Sequence, residues 1–394
     1  GHAYLSELEG AWPRAFLGQF NIETVSFDGG GVFPAPVSLE GVRADLRLRL
    51  DPFTVELAQI VAEEDDAPVR AKGRVWAARD GWRGTIDAQT DRIASERVLA
   101  FWPVEVAPVT RRWLDSNVAA GSLEDVSFGV RFRSSEKPDL SLSFDFSDGD
   151  VRFMRQMPAI TEGAGRATLL DGRFTLVLDE GGLSAGERGR VEAAGSVFEV
   201  SDTRINPAPG DIRILASGPL TAALSILNNP PLRLMERARR PIDFAEAEAV
   251  VEARIALPLT GGNGPEDIDY RVTGTMFNAT SADIVTGREF SSPGMSLDVT
   301  PEEIRISGPA RLDGVPITAD WRQPLGAEAA NGSRVSGQVT ISPQTVAALG
   351  LPLPEDLIGG QGTGSYAIQL APGQSPELTL TSDLSGLNMS CLLY

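Results

Sequence analysis

The sequence predicts a mostly β fold: an elongated, curved antiparallel meander of repeated strands that forms an apolar groove, with a few short helices. Three observations predict it. Apolar and polar residues alternate strictly over long stretches, Asp-Gly dipeptides punctuate those stretches, and short segments echo one another along the chain.

The alternation is clearest at Val42, Ala44, Leu46, Leu48 and Leu50, which share one strand face while Arg43, Asp45, Arg47, Arg49 and Asp51 share the other. Side chains on a strand point to opposite faces with period two, so one face of this segment is apolar and the other wet. The same pattern recurs at Val126, Phe128, Val130 and Phe132; at Leu140, Leu142, Phe144 and Phe146; at Phe174, Leu176 and Leu178; at Val251, Ala253, Ile255 and Leu257; and at Tyr366, Ile368 and Leu370. Asp148-Gly149, Asp171-Gly172 and Asp313-Gly314 supply the positive φ that tight hairpins need, so sequential strands are expected to pair antiparallel through them.

Helical spacing is confined to residues 93–101, 109–119, 220–227 and 343–349, two of these segments opening on Pro219 and Pro343. These are expected as caps or inserts on a sheet, with Trp102 and Trp113 packing an insert against it. A repeat of the segment from Pro138 to Gly149 in the one from Pro376 to Gly386, and of Ser217-Gly218-Pro219 in Ser307-Gly308-Pro309, suggests stacked units.

Composition narrows the function classes. A hydrophobic share of 42% with 23% charged residues is that of a folded protein. The net charge of −19 disfavours nucleic acid as a partner, because affinity for polyanions comes from clustered cations. One cysteine, Cys391, and one histidine, His2, leave no disulfide framework and no His- or Cys-based metal site within this chain. No run approaches the roughly 20 apolar residues that cross a bilayer, so any anchor is expected to lie outside this segment, of which Gly1-His2 and Ser390 to Tyr394 are taken as uninformative ends.

No cofactor, metal or catalytic residue is expected. Gly182-Leu183-Ser184-Ala185-Gly186 has the form of a hydrolase nucleophile elbow, but His2 is the only histidine and a Gly-rich turn is the better reading. Asp145, Asp148 and Asp150 lack the spacing of a calcium loop and read as a solvated hairpin. Glu63, Glu64, Asp65 and Asp66 read as an acidic loop.

What remains is the apolar face, which must be covered by a second sheet, by helices or by an apolar ligand. With roughly 20 to 25 strands at about 4.8 Å, the sheet is expected to run about 100 to 120 Å as a greasy trough. Leu46, Leu48, Phe128, Val130, Phe132, Leu140, Leu142, Phe144, Phe146 and Leu176 are the candidate lining, plain core being the alternative.

Phe101-Trp102-Pro103, then Arg111-Arg112-Trp113-Leu114-Asp115 through Gly121, resembles the signature of large AsmA-like envelope proteins of the YhdP type, which TamB also typifies. Ala216 to Leu220, Pro230-Pro231-Leu232 and Leu257-Pro258-Leu259 are similar to the next part of that region. The resemblance divides the chain into a β-repeat segment (1–92), a central AsmA-like region with helical inserts (93–259) and a second β-repeat segment (260–394). It implies a Gram-negative periplasmic piece of an inner-membrane-anchored protein that conducts phospholipid, or another acyl-chain lipid, toward the outer membrane. Outer-membrane components are further expected partners. Two other classes compete: a non-catalytic scaffold for outer-membrane biogenesis, in which both sheet faces are covered, and a β-solenoid adhesin, built of short regular coils.

Overall fold

In the computed structural model all residues are described except 10–11, 29, 32, 64–66, 135, 261–266, 286, 327–328, 330–331, 351–357, 372 and 390–394; of 6–9, 12–13 and 389 only the backbone is described. Most of the expected acidic loop (Glu64 to Asp66) and Cys391 thus lie outside the described residues.

The strands are β1 (His2–Glu9), β2 (Trp12–Phe27), β3 (Val37–Leu50), β4 (Phe53–Glu63), β5 (Val69–Ala78), β6 (Gly81–Ala94), β7 (Val118–Arg133), β8 (Asp139–Val151), β9 (Ile160–Leu170) and β10 (Arg173–Ser184). They continue as β11 (Arg190–Glu192), β12 (Val197–Val200), β13 (Pro209–Pro219), β14 (Glu246–Pro258), β15 (Asp269–Ser281), β16 (Phe290–Val299) and β17 (Glu303–Leu312). The last are β18 (Val315–Pro324), β19 (Ser333–Ile341), β20 (Ile358–Gly360), β21 (Gly362–Leu370), β22 (Glu377–Ser382) and β23 (Leu387–Met389). The helices are α1 (Ser95–Phe101), α2 (Pro108–Asn117), α3 (Leu220–Leu227), α4 (Leu234–Ala238) and α5 (Pro343–Ala348).

Every strand except β20 and β23, which pair with each other, belongs to one 21-stranded sheet, and every ladder among the described residues is antiparallel, joining chain neighbours except where β10 pairs with β12, β11 with β13 and β19 with β21. β11 and β12 divide one position between β10 and β13, so the sheet has 20 strand positions. At about 4.8 Å each these run about 90 Å, slightly shorter than expected. Long antiparallel strands make a meander and not the short coils of a solenoid. The ladders cross residues 92–93 inside β6 and join β14 to β15 across 259–260 without a break.

The exposed area shows what such a sheet cannot do alone. A compact monomer of 42.0 kDa exposes roughly 15,000 Å², whereas this chain exposes 24116 Å². Among the described residues no large side chain is fully buried. One layer has no second layer to close against, so its apolar face stays wet or is covered from outside.

The connections sort onto two rims. On the first rim most turns are short; Asp171-Gly172 joins β9 to β10 with φ of 52° and 81°. Its mirror-type twist matches the flanking strands. The second rim carries the five α-helices of the described residues: α1 and α2 between β6 and β7, α3 and α4 between β13 and β14, α5 between β19 and β21. These inserts recur every six strand positions. The echoed segments starting at Pro138 and Pro376 lead into β8 and β22, each the second sheet strand after an insert.

Arginines tie the inserts to the rim. Arg97 donates to the Ser38 carbonyl at 2.8 Å, Arg188 pairs with Asp243 at 2.9 Å, and Arg288 donates to the Leu349 carbonyl at 2.6 Å. The best-packed insert is α3, whose Ala222 and Ile226 close over Met157, Leu178, Leu183, Val191 and Ala193. Ile226 is 6% exposed, so Ile226→Ala is expected to cost about 2 to 4 kcal/mol of stability, read by denaturant unfolding. A cost below 1 kcal/mol would show that α3 rests on the sheet without closing it.

Three expectations need correction. Asp148-Gly149 is not a hairpin turn: Asp148 sits at φ 53° inside β8, where the register slips between Phe146 and Gly149 opposite Gly163. The positive φ is used for a bulge, and the chain reverses beyond Val151. Residues 118–119 open β7 and do not extend α2. Trp113 is less covered than expected, being 42% exposed, and Trp102 donates its indole N–H to the Val106 carbonyl at 2.7 Å within the insert.

Candidate functional site: one apolar face

Cross-strand registers place the apolar residues in continuous rows. From β2 to β14 one row reads Phe20, Ala44, Ile60, Ala71, Ala88, Phe128, Leu142, Leu169, Phe174, Val200, Gly210 and Leu257, each residue opposite the next. A second joins Leu46, Leu57, Gly73, Ile86, Val130 and Leu140. Leu48, Val55, Val75, Gly84 and Phe132 form a third. Phe144, Ala167, Leu176, Phe198, Ile212 and Ile255 form a fourth. Farther along, Val251, Gly274, Leu297, Ile306, Trp321, Val335, Ile368 and Leu378 carry the face to β22. Directly opposed residues have Cβ atoms about 5 Å apart, so each row is a contiguous apolar strip.

All ten residues picked from sequence lie on this face. Phe128 is 37% exposed and the other nine are half-buried, none of them sealed in a core. Glycines shape the surface between them. The Phe132 ring lies over Gly84 and the Phe20 ring over Gly18; the Phe146 ring comes within 2.9 Å of where a Gly165 Cβ would stand. Rings from nearby positions thus fill space where a side chain is missing.

Helical inserts cover the face only near the second rim. Besides the α3 cluster, Ala249, Met276 and Met295 bury one another with Leu220 against them, and Leu349 packs by Val315, Val339 and Ile341. Toward the first rim Leu50, Phe53 and Trp82 are exposed.

The opposite face is a polar ladder. Arg131 pairs with Asp87 at 2.6 Å, Arg271 with Asp298 at 2.7 Å, Glu252 bridges Arg213 and Arg254, and Asp320 bridges Arg305 and Arg322. Exposed pairs of this kind contribute little to stability, because solvent screens them. Their hydrogen bonds hold the carboxyls of Glu252 and Asp320 below the usual range, Arg254 acting most on the first and Arg305 on the second. The Glu289 backbone N–H, then Arg288, does the same to Asp313. Among the described residues, the carboxylates whose pKa is shifted are all shifted downward. Burial raises the pKa of Tyr366, whose hydroxyl donates to the Thr318 carbonyl at 2.9 Å.

A depressed carboxylate pKa contributes stability that is present above the unfolded pKa and lost as pH falls through the folded one. Thermal stability is therefore expected to be flat from neutrality down to about pH 5 and to fall below about pH 4. A melting temperature that rises on acidification would contradict this.

The motifs set aside in the sequence stay apart from one another. Ser184 ends β10 and its Oγ accepts the Gly186 N–H at 3.2 Å, while His2 lies in β1, nine strand positions away. Among the described residues no group of His, Cys, Asp or Glu is arranged to hold a metal ion, and no helix is long and apolar enough to cross a membrane.

No curated protein and no solved structure matches the chain. The family model described as YhdP protein matches residues 5–391, and the chain belongs to this family of AsmA-like envelope proteins.

Proposed function

We propose that this chain is a periplasmic stretch of a lipid conduit, held to the inner membrane by a segment outside it, along which phospholipid moves toward the outer membrane. The observation that carries the reading is the unbroken apolar face, half-exposed from β2 to β22 and backed by charge. Membership in a family of bridge-like lipid-transport type supports it at the level of class. Acyl chains laid on Leu46, Leu48, Phe128, Val130, Phe132, Leu140, Leu142, Phe144, Phe146 and Leu176 gain about 0.8 kcal/mol per buried CH₂. Head groups stay in water. Chemistry is not required of any side chain; continuity is, since a lipid sliding from row to row exchanges one apolar contact for another.

The test is mass spectrometry of organic extracts from protein purified from an envelope without detergent. Phospholipid in stoichiometric amount is expected. A lipid-free protein would replace the conduit by the scaffold reading, in which outer-membrane components cover the face.

A further inference from the structure

We propose that the outer surface of two rim connections, residues 152–157 and 227–241, together with α2, docks onto an anionic phospholipid bilayer. In a chain of net charge −19, the two connections hold six arginines against the single acid Glu236. They are contiguous with α2 and with each other. The Arg152 N–H donates to the Asn117 carbonyl at the end of α2 at 2.8 Å, and Met157 is buried against Ala222 and Ile226 of α3, which leads into α4.

The arginines here differ from those of the sheet. Strand arginines such as Arg131, Arg271 and Arg305 are neutralised by acids across the ladder. Arg112, Arg152, Arg155 and Arg239 are exposed and make no ion pair among the described residues. Beside them stand large apolar side chains turned to solvent: Trp113, Phe153 at 40% exposed, Leu232 and Leu234. Unpaired guanidinium groups interleaved with exposed aromatic and aliphatic side chains match an interface of phosphate and acyl chain. An anionic bilayer offers phosphates and hydrocarbon together, the two complements this surface needs. The surface is distinct from the apolar sheet face and does not depend on the conduit reading.

The experiment is sedimentation of the whole chain with vesicles of phosphatidylethanolamine and phosphatidylglycerol, against vesicles of phosphatidylcholine alone. Binding to the anionic vesicles is expected to fall about a hundredfold when Arg152, Arg155 and Arg239 are all changed to Gln. For the unaltered chain it is expected to weaken steeply with salt, a readout that survives if the variant misfolds. A chain carrying Phe128→Asp and Leu142→Asp should dock as before, since those residues belong to the other surface. Equal binding to neutral vesicles, indifference to salt, or full binding by the folded triple variant would overturn the proposal.

Discussion

Changing Phe128, Leu142 and Phe144 together to Asp is expected to cut the phospholipid recovered with the protein at least about tenfold while leaving the fold in place. The three side chains occupy β7 and β8 on neighbouring rows, so their carboxylates interrupt the strip at one cross-section. A charge moved under an acyl chain is either desolvated, at a cost of several kcal/mol, or keeps its water and displaces the chain. The fold should tolerate the change because none of the three is sealed in a core. Ser127, Ser141 and Ser143 give the matching control: they lie on the same two strands, on the opposite face. Ser→Asp at all three adds the same charge and should leave the lipid bound. Equal loss from both variants, or retention by the apolar-face variant, would remove the apolar face from the mechanism.

The strands that could be read from sequence are those whose apolar face is filled by large side chains. Leu46 and Leu48 in β3, or Leu140, Leu142, Phe144 and Phe146 in β8, produce an unbroken period of two. β5 and β9 were not legible in the same way, because Gly73 and Gly165 take apolar-face positions and erase the hydrophobic signal there. The ring that fills the gap comes from the next strand, as Phe146 does over Gly165, and pairing across strands is not written in either segment alone. Continuity of the rows belongs to register, and register to the sum of turns and bulges. The Asp148-Gly149 bulge shows the difficulty, since the same dipeptide closes a hairpin at Asp171-Gly172.

The helical inserts illustrate a different limit. α3 was legible because Leu220 to Leu227 has helical spacing behind a proline, yet α4, five residues long between Arg233 and Arg239 in left-handed conformation, carries no periodic pattern. The arginine-rich surface was hidden by averaging. A net charge of −19 is a sum over the whole chain. It says nothing of two loops that the meander brings together at one rim.

Gly165→Ala is expected to destabilise the protein by about 3 kcal/mol although it adds one methyl group. A Cβ there would press on the Val177 carbonyl oxygen and stand 2.9 Å from Phe146 Cζ and 3.1 Å from the Asp179 amide. Two of those three neighbours are backbone atoms of the paired strand, which cannot rotate away. Relief requires opening the β9–β10 ladder, and in a sheet whose strands touch only their neighbours the damage should remain there. Hydrogen exchange should therefore accelerate in β9 and β10 well before it does in β3 or β18. Gly294→Ala is the counterpart, because nothing lies within 4 Å of its added Cβ; its effect should stay within about 0.5 kcal/mol. If the two substitutions cost the same, the loss comes from the general strand propensity of glycine, and the close approach beneath Phe146 is not what selects it at residue 165.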